Sequence, residues 1–364
     1  MKILIDIGHP AHVHYFRNFI RIMEQKGHRF LITARDKDVA HSLLKNYQIP
    51  FFTRGKGKDN LFDKFFYMIK ADLLLYKLSK NFKPDFFMSF SSPYAAQVAW
   101  FFKNPHIAFT DTETATLGNY ATIPFSNVVC TPTCFKCDLG EKHICFDSYM
   151  ELCYLSEKYF KPNPSALDMI NIKNGETFTI LRFVSWKANH DIGHKGLSME
   201  NKIKAVKEFS KFGKVFISSE EKLPDTIKKY QIRIPTDKMH DIIAFASLLY
   251  GESATMASEC AVLGTPAIYI DNDGRGYTDE QEKNFKLVYN FTESLEDQER
   301  SIQKGIDLLS QKLLKKTWDF RRKKMLATKI DPTSFMVWLL ENYPDSVRAL
   351  KNNKDHFKKK VEVC

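Results

Sequence analysis

The feature that most restricts the fold of this chain is its opening alternation of short apolar runs with helical segments. Residues 2–7, KILIDI, form a run that stops at Gly8. A run this short and this apolar suits a strand covered on both faces, as in a parallel sheet. Val13, Phe16, Phe19, Ile20 and Met23 then recur at helical spacing as far as Gly27, and 28–35, HRFLITAR, returns to strand character. Val39, Leu43 and Leu44 mark one side of a second helix. Strand, helix, strand in immediate succession is the opening of a parallel sheet with right-handed crossovers.

The rhythm continues through FFMSF after Pro84-Asp85, a Ser91-Ser92-Pro93 turn, a helix over 94–102, HIAFTD at 106–111 and NVVCTP at 127–132. Residues 154–175 collect Pro162, Asn163, Pro164, Asn171, Asn174 and Gly175, a linker composition. The alternation then starts again with TFTILRF at 177–183, a helix around 199–212, KVFISS at 214–219 and RIP at 233–235. A helix over 238–246, SLLYG at 247–251, a helix over about 255–263 and AIYI at 267–270 follow, with terminal helices at 295–316 and 335–341. At roughly 100–200 residues per domain, 364 residues with 44% hydrophobic content make two domains. The expected class is α/β, with two Rossmann-like α/β/α domains facing across a cleft. The expected spans are 1–165, 176–330, a helix in 331–350 packing back toward the first domain, and a basic solvated tail at 351–364.

The 54 Lys+Arg against 43 Asp+Glu give a net charge of +11, which favours anionic partners. The basic residues are dispersed and no nucleic-acid-binding motif accompanies them, so no nucleic-acid partner is expected. The start lacks the long apolar core of a signal peptide, and no segment reaches about 18 uninterrupted apolar residues. A cytoplasmic protein is expected. Residues 54–78 admit two readings. Arg54, Lys56, Lys58, Lys64, Lys70 and Lys77 around LFDKFFYMIKADLLLYKL suit peripheral contact with the inner face of a cell membrane, and the same segment suits a helix covering the sheet. Seven cysteines without an export signal argue against a disulfide scaffold. Cys130, Cys134, Cys137, Cys145 and Cys153 cluster, yet their spacing is not that of a structural zinc site, so neither metal nor cofactor is expected. Oligomeric state, a homo-oligomer included, stays open.

Two turns carry the candidate chemistry. Gly8-His9-Pro10-Ala11-His12-Val13-His14 lies where the first strand passes into a helix. A helix start offers unpaired amides to an anion, and His9 or His12 can exchange protons near neutral pH. The second turn is Gly251-Glu252-Ser253-Ala254-Thr255, leading through Glu259 to Gly264. Amides and hydroxyls there suit phosphate oxygens, and the Glu259 carboxylate, one turn on from Thr255, could accept both hydroxyls of a ribose. Arg182, Ser185, Trp186, Lys187, His190 and Asp191 follow a buried strand and could face a sugar or its phosphates. Asp111 and Glu113 follow HIAFT and could orient or deprotonate an acceptor, while His240 and Asp241 open the helix before the GES turn.

The segment GESATMASECAVLGTPAIYI resembles the donor-nucleotide motif of GT-B glycosyltransferases and of UDP-N-acetylglucosamine 2-epimerase. With DIGHPAHVHYFRN and WKANHDIGHKG it also resembles a widespread archaeal and bacterial family of GT-B-like proteins, a domain of unknown function, over roughly residues 1–345. The resemblance implies the GT-B fold, Gly8 and His9 in the loop below the transferred sugar, Glu259 on the ribose, and Ser253, Ala254 and Thr255 at the diphosphate. It implies further that Lys187 or Arg182 neutralises the leaving diphosphate and that Glu113 matches an acidic catalytic residue of the epimerases. Phe90-Ser91-Ser92-Pro93 stands where the epimerases carry a strand-end motif with glycine and aspartate, which counts against 2-epimerisation.

The expected function is metal-independent transfer of a sugar from a nucleotide-diphosphate donor, a UDP-sugar first, to a polysaccharide or lipid-linked cell-envelope precursor. His9 is the preferred base, with Glu113 in reserve. The alternatives are a 2-epimerase-like nucleotide-sugar enzyme and a noncatalytic binding protein on the same fold.

Overall fold

The computed structural model describes residues 1–37, 39–57, 61–184, 194–220, 222–353 and 357, the side chains of 61, 62, 64 and 65 excepted. The chain forms two compact units, Met1–Tyr159 with Lys329–Cys364, and Phe160–Thr328.

The first unit carries seven strands: β1 Lys2–Ile7, β2 Arg29–Asp36, β3 Phe52–Lys56, β4 Phe86–Phe90, β5 His106–Phe109, β6 Val128–Pro132 and β7 His143–Phe146. Every neighbouring pair is parallel, in the order β3-β2-β1-β4-β5-β6-β7. Ile3, Leu4, Ile5 and Ile7 of β1 are fully buried, as a central strand of a covered sheet must be. The helix Pro10–Gln25 buries Val13, Phe16, Phe19, Ile20 and Met23, the stripe legible in the sequence. The helix Leu61–Phe82 lays Leu75 against Leu4, Leu31 and Phe87, so its inner side covers the sheet.

Two of these strands escaped the sequence reading. FTRGK of β3 and HICF of β7 are short edge strands with polar residues among the apolar ones. The tail expectation also needs correction. Phe357 is buried, its ring 5.5 Å from Phe335 and 5.3 Å from Trp338 on the helix Pro332–Glu341. One aromatic side chain among lysines is enough to bring that part of the tail back to the unit. Asp331 fixes the entry to this helix by accepting the amides of Thr333 and Ser334 and the Lys158 and Tyr159 side chains.

The second unit carries β8 Phe178–Phe183, β9 Lys214–Ser219, β10 Leu248–Gly251, β11 Ala267–Ile270 and β12 Val288–Phe291. They too are all parallel, in the order β12-β11-β10-β8-β9. RIP at 233–235 is not a strand. The chain there only bridges Ile217 to Gln231 before Pro235 turns it into the short helical piece Thr236–Lys238. The 154–175 stretch read as a linker contains the change of unit and the turn Pro164–Ile170, which buries Ala166, Leu167 and Ile170.

Each sheet reverses its winding once, between β1 and β4 in the first unit and between β8 and β10 in the second. Crossovers diverge to opposite faces at such a point, leaving a crevice at the carboxyl ends of the two strands. No helix among the described residues is long and apolar enough to cross a membrane.

Candidate active site

In the first unit the reversal point is built on Asp6, one residue before the end of β1. Its buried carboxylate accepts Thr33 Oγ1 at 2.6 Å, Arg54 Nε at 2.7 Å and Ser92 Oγ at 2.5 Å. Ser92 caps the helix Pro93–Phe102, so Asp6 ties the turn after β4 to the end of β1. Arg54 is buried with it, gives Nη1 to Tyr67 Oη at 2.9 Å and lies 4.6 Å from the Tyr94 ring. A pair this buried survives because every charged atom named has a partner. Asp6 was not singled out from the sequence, since it sits in an ordinary strand run without a motif, and Arg54, expected among the basic residues of a membrane-contacting segment, is instead buried as the partner of this carboxylate.

Above this base, His9 caps the helix Pro10–Gln25, its Nδ1 accepting the Ala11 amide at 3.2 Å, with Pro10 in the first helical position where no amide is required. His12 Nδ1 accepts the Gly8 amide at 3.3 Å. In a neutral ring whose Nδ1 accepts, the proton sits on Nε2. Nδ1 of each ring is occupied by its own turn, so Nε2 is the atom that His9 and His12 can offer a ligand. Burial lowers the His12 pKa well below its usual value, and the charges of His9, Lys37 and Arg54 act in the same direction. Its ring packs 4.7 Å from Phe90 and 6.1 Å from Tyr15. Tyr15 Oη reaches Asp111 Oδ2 at 3.5 Å, and Asp111 Oδ1 accepts Thr112 Oγ1 at 2.9 Å. The structure thus gathers His9, His12 and Asp111 at the carboxyl ends of β1, β4 and β5. Glu113 lies further along, accepting the Lys136 amide at 3.2 Å. Gly8 is not demanded by packing, for a Cβ there would meet the His12 ring at an ordinary 3.8 Å.

In the second unit Gly251 is demanded. At φ 153° its backbone passes so close to β8 that a Cβ would lie 2.0 Å from the Arg182 carbonyl oxygen. Glu252 is buried and holds the chain after β8 at two places, accepting Val184 N at 2.9 Å and Leu197 N at 2.6 Å, with Lys202 Nζ at 3.8 Å. Expected as a substrate contact, it is a brace for that segment. Ser185, Trp186, Lys187, His190 and Asp191 lie outside the described residues. Arg182 turns toward β9, where it bonds Ser218 Oγ at 2.9 Å and pairs with Glu220. A guanidinium held there is not at hand for the leaving diphosphate.

Ser253 caps the helix Ala254–Leu263, which ends at Gly264 in the left-handed region, as the sequence indicated. Ser253, Ala254 and Thr255 are half-buried at its start. Glu259 is buried beside His240, Oε1 to Nε2 2.9 Å, and Phe160 lies edge-on to the His240 ring. Next to this helix stands Gly276–Lys283, joined to it by the bond from Gln281 Nε2 to Ser258 Oγ at 2.7 Å. Each follows a parallel strand of one sheet, so both amino termini open at the same carboxyl edge. Arg275 precedes the second helix, and burial opposes its charge while Tyr269, Tyr277, Asp271 and Asp273 more than restore it, raising its pKa. The sequence reading missed Arg275, although Gly274-Arg275-Gly276 after an apolar strand was the available signal.

Among the described residues one group of three has metal-ligand geometry, His194, Asp271 and Asp273, with ligand atoms within 4.8 Å of one another. Its atoms are already engaged. His194 Nδ1 lies 2.5 Å from Glu293 Oε1 and Nε2 3.3 Å from Asp273 Oδ2, while Asp271 accepts Tyr269 Oη and the amides of Asp273 and Gly274. Burial works against the imidazolium, but the Glu293 bond and the Asp271, Glu293 and Asp273 charges outweigh it and raise the His194 pKa. The group reads as a charge-paired histidine. The described cysteines are free thiols, and burial raises the pKa of Cys130 and Cys153, keeping them protonated.

Residues 1–337 match the family described as Protein of unknown function (DUF354). An uncharacterized protein of Methanocaldococcus jannaschii is 22% identical over 278 residues, covering 74% of this chain and 81% of that one. A UDP-GlcNAc 2-epimerase from Neisseria meningitidis bound to UDP-GlcNAc matches with TM-score 0.65 at 14% identity, over 94% of this chain and 100% of that chain. A spinosyn rhamnosyltransferase complexed with thymidine diphosphate matches with TM-score 0.61 at 10% identity, over 94% and 100%. At such identities the likeness is one of fold, a GT-B-like pair of α/β domains with parallel sheets.

Proposed function

We propose, for a chain that belongs to the DUF354 family, that it works on a nucleotide-diphosphate sugar, a UDP-sugar first, and transfers the sugar to a polysaccharide or lipid-linked cell-envelope precursor. The observation that carries this reading is the pair of helix amino termini, at Ser253–Thr255 and at Arg275–Gly276, side by side on one sheet edge with an arginine at the second. Each terminus carries about half a positive charge from its helix dipole, and a diphosphate is the common metabolite group whose two phosphates match two such ends. Glu259, held in place by His240, would accept the ribose hydroxyls. Arg275, rather than Arg182, is the cation assigned to the leaving diphosphate.

In this reading His9 and His12 donate Nε2–H bonds to sugar or acceptor oxygens. A neutral imidazole acting as a donor is established chemistry where burial keeps the ring uncharged. The proton of the attacking hydroxyl goes to a carboxylate of the first unit, Glu113 before Asp111, because Glu113 is half-buried while Asp111 is buried under Tyr15 and Thr112. Those two carboxylates also support the alternative reading, epimerisation at carbon 2, which needs an acid and a base. Calorimetry with UDP, thymidine diphosphate, GDP and UDP-GlcNAc tests the shared claim, and no heat with any of them sinks it. Product NMR with donor alone then separates the two chemistries, since an epimerase converts the donor without an acceptor.

A further inference from the structure

The helix Leu61–Phe82 has a second face that the sheet does not use. Phe66, Ile69, Lys70, Leu73, Lys77 and Lys80 share helical spacing and fall on one side, away from the buried Ala71, Leu75 and Ser79. All six are exposed, Phe66 by 57% and Leu73 by 62%. The stripe holds only bulky apolar side chains and lysines. Asp63, at its amino-terminal end, is the nearest exposed acid on the same helix. Beside it, the helix Pro93–Phe102 continues the apolar surface with Trp100 and Phe101, exposed by 64% and 62%, and Phe101 meets Tyr76 of the first helix at 5.2 Å.

We propose that this face docks the first unit on a bilayer surface containing anionic lipid, with Phe66, Leu73 and Trp100 entering the headgroup boundary and Lys70, Lys77 and Lys80 meeting lipid phosphates. The charge pattern selects this occupant. Lysine is depleted at the cores of protein interfaces, whereas an amphipathic helix lying in a membrane interface combines lysines with Trp, Phe and Leu. The inference does not depend on the reaction assigned above. It would place the enzyme where a lipid-linked acceptor is found, and its test reads binding rather than turnover.

The experiment is sedimentation of the full chain with vesicles of phosphatidylcholine alone or mixed with phosphatidylglycerol, at low and high salt. Binding is expected with the anionic vesicles only, weakening as salt rises. Each lysine near an anionic surface strengthens binding by about fivefold, so Lys70→Glu/Lys77→Glu/Lys80→Glu should weaken it by on the order of a hundredfold. All three side chains are exposed, and an unchanged melting temperature shows that the fold is kept. Leu73→Ser/Trp100→Ser should also release the protein while leaving its charge intact. Equal binding to both vesicle types, no binding to either, or full binding by the lysine variant overturns the proposal. So does a dimer in light scattering that Leu73→Glu abolishes in the absence of vesicle binding, which would assign the face to a second copy of the chain.

Discussion

The carboxylate of Glu252 accepts the backbone amide of Leu197 at 2.6 Å across 55 residues of sequence. Its other oxygen accepts Val184, so one buried side chain fixes the backbone on both sides of 185–193. A charged acceptor contributes about 1.5–3 kcal/mol per bond, and two are lost in Glu252→Ala. A loss of about 3 kcal/mol or more in urea unfolding is expected, with Glu252→Gln less severe. Unchanged stability with abolished nucleotide binding would instead make Glu252 a ligand residue.

Gly251→Ala tests the closeness of β10 to β8. The added methyl would meet the Arg182 carbonyl at 2.0 Å, and a backbone atom cannot swing aside as a side chain can. A loss of roughly 1–3 kcal/mol is expected from overpacking alone, more with the positive φ. Gly8→Ala, at ordinary contact distance from His12, should cost little by comparison.

For the Asp6–Arg54 pair, removing one partner leaves a buried charge alone. Arg54→Met or Asp6→Asn should each cost about 3–5 kcal/mol, and combining them should recover part of the loss. Additive effects in the double-mutant cycle would show that the 2.7 Å bond carries no coupling.

His106 supplies a pH test. Its Nδ1 lies 2.8 Å from Ser126 Oγ and its Nε2 2.9 Å from Ser89 Oγ, and burial drives its pKa down to about 3. The native ring stays neutral where the unfolded chain, near 6.5, takes up a proton. The unfolded state therefore binds more protons between these values, and stability falls as pH drops through that window. This residue alone contributes a slope of about 1.4 kcal/mol per pH unit. Comparing His106→Gln with the parent chain between about pH 6.5 and pH 4 should show a flatter pH dependence in the variant. Parallel curves would mean that His106 does not titrate on unfolding.

Glu259→Gln addresses the ribose assignment directly. Loss of charge-assisted bonds to two hydroxyls should weaken UDP binding by roughly 10–100-fold. The sharper readout is 2′-deoxy-UDP. The parent chain should bind it more weakly than UDP, and the variant should discriminate far less. Equal discrimination by both proteins would remove Glu259 from the ribose.

The sequence alone determined the elements whose physics is local. A stripe at helical spacing has one side to bury, so Val13, Phe16, Phe19, Ile20 and Met23 could be placed in the core before any contact was known. Gly264 likewise announced the end of a helix, because a cap acts within one turn, whereas Ser253, read only as a phosphate-binding hydroxyl, is the residue that caps its start. Short edge strands such as β3 and β7 were not legible, since pairing with a distant neighbour, not local pattern, makes them strands. The roles of the polar groups were decided only by tertiary structure. Glu252 became a brace because two distant amides reach its oxygens, and His9 is left with Nε2 to offer a ligand because its own helix occupies Nδ1. Arg54 was joined to Asp6 by a sheet that brings β1, β2 and β3 together. A side chain's chemistry follows from which atoms surround it once the chain is folded, and residue type with spacing fixes only which atoms it can offer.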